Sequence, residues 1–246
     1  MSVKIRFVGT GDAFGSGGRF QTCFHLSDGE QALLVDCGAT SLVALKAQGL
    51  DPGGINAVAV THLHGDHFGG LPFLILDGQF SGRTRPLLIA GPPGTAARLA
   101  QAMESLFPGS SSVPRRFSVE VTELVPGGAP MPLGAATVRG WEVDHASGAP
   151  SLALRVDLGQ ASFGYSGDSQ WTPALATAAR GCNLFAAEAY TYARPIRYHL
   201  DYLALRAHLP DLAAQRVVLT HMSGDMLGRL TEADLPAAYD GMTIDL

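Results

Sequence analysis

Three histidines and an aspartate crowd into one short stretch of this chain, His62-Leu63-His64-Gly65-Asp66-His67. Imidazole and carboxylate groups are the side chains that bind Zn²⁺ and similar cations in proteins. The stretch follows the apolar residues 57–61, which are typical of a buried strand. In a loop at a strand end, His62 and His64 can point to one side while Asp66 and His67 face a second point nearby. The motif therefore predicts a metal site in which one stretch serves two ions.

Three further candidate ligands each follow a predicted strand later in the chain, namely His145, Asp168 and His221. Taken alone, each has a structural alternative, because a single histidine after a strand is more often part of the packing. Together with the first cluster, they supply the seven ligands that a two-metal site needs.

The elements that must position these residues are short apolar strands and helices, recognised by their periodicity. We predict strands at 3–8, 23–26, 32–36, 57–61, 87–90, 117–124, 135–143, 151–157, 161–166, 183–187 and 217–220. We predict helices at 41–48, 68–77, 94–107, 172–179 and 201–208. Runs of strands in hairpins with interspersed helices fit two β-rich halves with helices outside. No linker is apparent, so we expect a single domain over residues 1–246.

The composition indicates a folded protein with a sizeable core, because 46% of the 246 residues are hydrophobic and 16% are charged. A net charge of -5 gives no general attraction to a phosphate backbone, which argues against a large nucleic-acid footprint. Three cysteines without a CxxC motif suggest reduced thiols. The N-terminal segment does not read as a signal peptide, and the longest apolar run, near 71–76, is too short to span a membrane. We therefore expect a cytoplasmic protein that does not bind membranes.

The order and spacing of these ligands resemble those of the metallo-β-lactamase fold superfamily along nearly the whole chain. The resemblance implies an α/β fold, a four-layer αβ/βα sandwich of two mixed β-sheets with outer helices. It implies two divalent ions, with Zn²⁺ expected first and Mn²⁺ or Fe²⁺ as alternatives. It also implies that His62, His64 and His145 hold one ion, that Asp66, His67 and His221 hold the other, and that Asp168 bridges them. A hydroxide shared by two ions about 4 Å apart would then attack an electrophilic centre.

Within the superfamily, the segments Phe7-Val8-Gly9-Thr10-Gly11, Ala187-Glu188-Ala189 and His199-Leu200-Asp201 resemble ribonuclease Z and its small phosphodiesterase relatives. This resemblance implies that His199 protonates the leaving oxygen and that Glu188 orients His199. Asp66 is also expected to be catalytic. The alternative for His199 is a surface residue at a helix N-terminus.

Two residues are candidates for substrate contacts at the rim of the site. Arg19 could reach a substrate phosphate, and Tyr190 could line the pocket mouth. The alternatives are a solvated loop arginine and a tyrosine that packs its own loop.

Ribonuclease Z enzymes that process tRNA precursors usually carry a long arm between the segments that match His145 and Asp168. Here a single predicted hairpin separates these residues, which disfavours tRNA 3′-processing. We predict a metal-dependent hydrolase of a small-molecule ester, most specifically a small or nucleotide-derived phosphodiester. Hydrolysis of a lactone, thioester or aryl sulfate stays open, because a fold does not fix a substrate. A non-catalytic metal-containing pathway protein also stays open, and the resemblance allows a homodimer.

Overall fold

The computed structural model describes residues 2–246 and contains two β-sheets that pack against each other. In chain order the strands are β1 Lys4–Gly9, β2 Cys23–Ser27, β3 Ala32–Val35, β4 Ala57–Ala59, β5 Leu87–Gly91, β6 Val119–Glu123, β7 Met131–Leu133, β8 Ala136–Val143, β9 Ser151–Leu158, β10 Ala161–Tyr165, β11 Leu184–Glu188, β12 Val217–Thr220 and β13 Thr243–Asp245. The first sheet has the order β13-β1-β2-β3-β4-β5-β6, and the second has the order β12-β11-β10-β9-β8-β7. Both sheets mix parallel and antiparallel pairs.

Aromatic side chains between the two sheets hold them together. The Phe24 ring lies 5.2 Å from that of Phe7 within the first sheet. The same ring lies 5.4 Å from Phe163 and 4.9 Å from Tyr165, both in the second sheet. All four side chains are buried, and each such burial stabilises the fold by about 1.5–3 kcal/mol.

Helices cover the outer faces of both sheets. They are α1 Ser41–Ala47, α2 Gly65–Phe68, α3 Leu71–Phe80, α4 Thr95–Leu106, α5 Pro173–Ala179, α6 Tyr202–Ala207, α7 Leu209–Leu212 and α8 Gly224–Leu227. The apolar residues of α1, α3 and α4 pack on the first sheet, and those of α5, α6 and α7 pack on the second. The predicted four-layer α/β sandwich is therefore confirmed.

The structure corrects the predicted helix 68–77, which is divided into α2 and α3 by Gly69 and Gly70. The backbone N–H of Gly70 donates to the carbonyl of Cys37 at 2.8 Å. A Cβ atom at position 70 would lie only 2.3 Å from the carbonyl oxygen of Gly38. The break is therefore fixed by a close approach of the loop after β3, a tertiary contact that helix periodicity does not reveal.

Two short edge strands, β7 and β13, were also missing from the sequence prediction. The three residues of β13 pair antiparallel with β1, with Lys4 opposite Asp245. Three residues are too few to show a period-two pattern, and their pairing partner lies at the other end of the sequence. No helix within residues 2–246 is long and apolar enough to cross a membrane.

The strand directions explain why the candidate residues meet. β3 to β6 run parallel in the first sheet, and β10 to β12 run parallel in the second. Because the carboxyl ends of parallel strands lie at one edge of a sheet, the residues that follow them gather there. The loops after β4, β10 and β12 carry His62, Asp168 and His221.

Candidate metal centre

One group of candidate ligands consists of three histidines from both halves of the fold. His62 and His64 lie in the loop between β4 and α2, and His145 follows β8. The Nδ1 atom of His64 lies 3.1 Å from Nε2 of His145, and the ring of His62 lies within 4.9 Å of both other rings. One nitrogen of each histidine lies within 4.8 Å of the others, close enough to hold one metal ion.

The second group joins Asp66 and His67 of α2 to Asp168 and His221, and all four side chains are buried. Nε2 of His67 lies 3.3 Å from Oδ2 of Asp66, 3.2 Å from Oδ1 of Asp168 and 3.2 Å from Nε2 of His221. The other oxygen of Asp168, Oδ2, lies 3.9 Å from Nε2 of His62 in the first group. Asp168 therefore faces both groups, as a bridging ligand must.

Hydrogen bonds orient two of the histidine rings from behind. Nδ1–H of His67 donates to Oδ2 of Asp36 at 2.7 Å, and Nδ1–H of His145 donates to the carbonyl of Tyr198 at 3.0 Å. Each bond leaves the Nε2 lone pair of its ring pointing into the site. This is the arrangement in which protein histidines bind metal ions.

The buried polar atoms of the site fit a divalent cation. Nε2 of His62 and Oδ1 of Asp168 are buried and have no hydrogen-bond partner within the described part of the chain, a rare condition for such atoms. Burial and the neighbouring His67 lower the pKa of His62 and keep its ring neutral, the form that binds metals. Burial opposes charge on His221 as well, but the Asp168 carboxylate raises the pKa of His221 to about 10. The same carboxylate charge that favours a proton there would favour a cation. The nitrogen and oxygen donors suit Zn²⁺, Mn²⁺ and Fe²⁺ alike.

A histidine–glutamate pair lies beside the two groups. Nδ1–H of the half-buried His199 donates to Oε1 of Glu188 at 2.5 Å, and Nδ1 lies 4.0 Å from Oδ2 of Asp168. Glu188 ends β11 and is fully buried, and its Oε2 accepts from the backbone N–H of Ser169 at 2.8 Å and of Leu200 at 3.2 Å. Burial alone would lower the pKa of His199, but the hydrogen bond to Glu188 and its charge raise it. The pair therefore holds an oriented, readily protonated imidazole at the edge of the site.

The backbone is strained at three residues of the site or directly beside it. Asp36, Tyr198 and His221 have φ angles of 58°, 71° and 54°, in the left-handed region that such residues rarely adopt. Asp36 and Tyr198 accept the hydrogen bonds that orient His67 and His145, and His221 belongs to the second ligand group. Strain of this kind costs about 1–3 kcal/mol per residue and is concentrated at functional sites.

Asp36 is a further candidate functional residue, which the sequence did not indicate. Its buried carboxylate accepts from the backbone N–H of Thr61 at 2.7 Å, from the Thr61 hydroxyl at 2.8 Å and from His67. A single carboxylate between a strand and Cys37 has no distinctive spacing. The signal that could have found it is chemical, because a metal-binding histidine needs an acceptor for its second nitrogen.

Replacing Asp36 with asparagine is expected to weaken metal binding about 10- to 100-fold, because one acceptor oxygen becomes an N–H donor that faces His67 or Thr61. We also expect the free energy of unfolding to fall by about 1–3 kcal/mol, since a buried donor loses its partner. Competition with a chelator and urea unfolding of the chelator-treated protein measure the two effects separately. Asp77→Asn on α3 is the matched control, and equal metal affinity in the two variants would contradict the role given to Asp36.

The ligand groups open to a cavity of about 200 Å³. Its lining comprises Ala13, Phe14, His64, Asp66, His145, Asp168, Tyr190, His199 and His221. Tyr190 lines the cavity, with its ring centroid 4.6 Å from that of His199 and the two ring planes inclined by 30°. Phe14 was not anticipated, because the sequence does not reveal which face of a glycine-rich loop meets the site.

Arg19 does not line the cavity, so its predicted contact with a substrate phosphate needs correction. Its NH1 atom donates to the carbonyl of Ala238 at 2.6 Å and to the hydroxyl of Thr10 at 3.2 Å. The guanidinium instead ties the loop after β1 to the C-terminal segment. Burial lowers its pKa, which fits a side chain half-enclosed by protein.

The sequence matches one family model and several curated relatives. The family described as Anti-Pycsar protein Apyc1 matches residues 3–234. A ribonuclease Z from Mycobacterium sp. (strain KMS) is 30% identical over 229 residues, which cover 88% of this chain and 73% of that protein. A ribonuclease Z from Haloferax volcanii is 33% identical over 157 residues, which cover 64% of this chain and 48% of that protein. The match to the Haloferax protein therefore spans about half of that relative's length.

Solved structures share the fold across almost the entire chain. The short form of human tRNase Z superposes with a TM-score of 0.80 at 24% identity, covering 98% of each chain. Zn²⁺-bound PqqB from Methylobacterium extorquens superposes with a TM-score of 0.74 at 15% identity, covering 99% of this chain and 100% of that chain. At these identities the likeness concerns the fold alone. The family match and the ribonuclease Z relatives carry the assignment: the chain belongs to the family described as Anti-Pycsar protein Apyc1, in the ribonuclease Z-like branch of the metallo-β-lactamase fold superfamily.

Proposed function

We propose that this protein is a binuclear metal-dependent phosphodiesterase that acts on a small or nucleotide-derived phosphodiester. The observation that carries the proposal is the His199–Glu188 pair beside Asp168. Cleavage of a phosphodiester produces a leaving alkoxide, and a positioned acid at the edge of the ligand groups serves this reaction in particular.

The residues of the site would have separate roles in metal binding and in proton transfer. His62, His64 and His145 would hold one divalent ion, Asp66, His67 and His221 the other, and Asp168 would contact both. When bound, such ions supply water activation and neutralise phosphoryl charge, and Zn²⁺ is the ion we expect first. Glu188 accepts Nδ1–H of His199 and thereby leaves Nε2–H free to donate to the leaving oxygen. The backbone N–H groups of Ser169 and Leu200 keep Glu188 in place.

Two features favour a small substrate over tRNA. Residues 146–167 consist of β9, β10 and short connections, and β9 and β10 are joined by a tight turn, so no arm extends from this segment. The cavity measures about 200 Å³, less than the roughly 300–1,000 Å³ of sites that enclose a drug-sized ligand. These features support a small-molecule ester, whose phosphate enters the cavity while the rest of the molecule lies at its rim.

The proposal predicts that metal-reconstituted protein hydrolyses bis(p-nitrophenyl) phosphate and contains about two metal ions per chain. Chelation should abolish turnover, and added Zn²⁺ or Mn²⁺ should restore it. Release of p-nitrophenolate and elemental analysis of the same sample measure both quantities.

A panel of lactones, thioesters and aryl sulfates provides the comparison. Turnover of one of these without turnover of any phosphodiester would replace the proposed reaction with another ester hydrolysis. Two metal ions without turnover of any ester would assign the site a non-catalytic role.

A further inference from the structure

Asp240, near the C-terminal end of the chain, carries a half-buried carboxylate that accepts three hydrogen bonds. Its Oδ1 accepts from the backbone N–H of Thr10 at 2.9 Å and from the Thr10 hydroxyl at 2.7 Å. Its Oδ2 accepts from the backbone N–H of Phe20 at 2.7 Å. Thr10 and Phe20 lie near the two ends of the loop between β1 and β2, so one carboxylate holds both ends of this loop together.

The two ends of this loop also approach each other closely, because Thr10 lies between two glycines. A Cβ atom at Gly9 would lie 1.9 Å from the carbonyl oxygen of Gln21, and one at Gly11 would lie 2.9 Å from that of Phe20. Only glycine allows the backbone to come this near. Thr10 is fully buried there, and Asp240 satisfies its N–H and its hydroxyl together.

The carbonyl group of Thr10 holds the backbone of a candidate metal ligand. It accepts from the backbone N–H of His221 at 3.1 Å, and Gly11 forms a β-bridge with Met222 directly beside it. The φ angle of His221 is 54°, a conformation that persists only where surrounding contacts impose it. Thr10 therefore supplies a contact that the strained backbone of His221 needs.

Attachment of the C-terminal segment does not depend on the Asp240 side chain. The backbone N–H of Gly241 donates to the carbonyl of Phe7 at 2.7 Å, and that of Phe7 donates to the carbonyl of Met242 at 2.9 Å. β13 then continues the pairing with β1. Since the backbone already fixes this segment to the first sheet, the carboxylate serves the loop after β1 instead.

We propose that Asp240 is a positioning residue that holds His221 in place through Thr10. Removal of the carboxylate should loosen Thr10 and with it the backbone of His221. The effect on metal rests on the two-ion part of the proposed function, whereas the effect on the backbone can be measured without metal.

The first measurement is amide hydrogen exchange by NMR in the full chain, before and after metal reconstitution. Asp240→Ala should accelerate exchange of the His221 amide about tenfold, because its partner loses hydrogen bonds to a carboxylate. The Val60 amide is the internal reference, since it donates to the carbonyl of Ala90 at 2.7 Å in the first sheet, and its exchange should not change. Asp245→Ala is the matched control, because this aspartate belongs to the same segment but pairs with Lys4 on the surface.

The second measurement is stepwise Zn²⁺ binding to the same variants in competition with a chelator. One of the two ions should bind about tenfold more weakly to Asp240→Ala. This is the lower end of the loss, about 10- to 100-fold, caused by removing a group that supports a ligand directly. The other ion should keep its wild-type affinity, because its histidines follow β4 and β8 rather than β12.

Two variants of Thr10 test the same inference if Asp240→Ala does not fold. Thr10→Val loses the hydroxyl bond to Asp240 and should show both changes to a smaller extent, whereas Thr10→Ser should restore the wild-type values. Unchanged exchange of the His221 amide in folded Asp240→Ala would overturn the proposal. Equal acceleration of the His221 and Val60 amides would also overturn it, because a general loss of stability affects both. Failure of the wild-type protein to bind metal would overturn the proposed function alone, since exchange before reconstitution decides this inference.

Discussion

Replacing His199 with alanine should lower phosphodiester turnover about 10²- to 10⁴-fold, the range that a positioned general acid contributes. Metal content should remain at the wild-type level, because His199 belongs to neither of the two groups proposed to hold the ions and its Nδ1–H donates to Glu188. His199 does form a third group with Asp168, Glu188 and His221 that could hold an ion, so a loss of metal from this variant would assign it a ligand role instead. Initial rates and elemental analysis of the same preparations check both statements. His208→Ala is the matched control, since His208 is a half-exposed histidine that hydrogen-bonds Asp211 and lies outside the cavity lining.

The leaving group distinguishes proton donation from a purely structural role of His199. A p-nitrophenolate leaves as a stable anion and needs little protonation, whereas the alkoxide of a nucleoside needs a proton as it departs. The alanine variant should therefore lose much more rate with a dinucleoside monophosphate than with bis(p-nitrophenyl) phosphate. Equal losses of rate with both substrates would show that His199 is a positioning residue. Wild-type rates in the His199→Ala variant would exclude His199 from the reaction.

Four of the candidate metal ligands were predictable because each follows a β-strand. His62, Asp168 and His221 follow β4, β10 and β12, and parallel pairing of these strands with their neighbours brings such positions to one edge of each sheet. His145 follows β8, which pairs antiparallel with β7 and β9. Their division into two groups was implied by family resemblance, and the structure brings them together along the same division. Sequence spacing alone would not have given it, because His145 and His64 are 81 residues apart and meet only through packing of the two sheets.

The residues that the sequence did not reveal act through tertiary contacts. Asp36 meets His67 only because the loop after β3 packs against α2, where a Cβ atom on Gly38 would lie 2.2 Å from the carbonyl of Asp66. Arg19 was predicted to contact substrate from its charge, but its partner Ala238 lies 219 positions further along the chain. In each case the sequence shows the residue type but does not show in which direction its side chain points.

Asp168 is the residue whose loss should affect the site most broadly, because its two oxygens face both ligand groups. Loss of a residue that merely supports a metal ligand costs about 10- to 100-fold in affinity or activity, so loss of a shared ligand should cost at least about a hundredfold. We expect Asp168→Ala to reduce metal content below the two ions per chain proposed for the wild-type protein and to remove measurable turnover.

The isosteric variant separates charge from shape at this position. Asp168→Asn keeps the volume of the side chain but removes the negative charge that raises the pKa of His221 and that would stabilise two cations. It should therefore lose metal nearly as completely as Asp168→Ala. Asp157→Asn, on the neighbouring strand β9 and paired with Arg155, should keep both metal and turnover. Full metal content in Asp168→Asn would contradict a bridging role, and loss from the Asp157 control would show that the effect is not specific to the site.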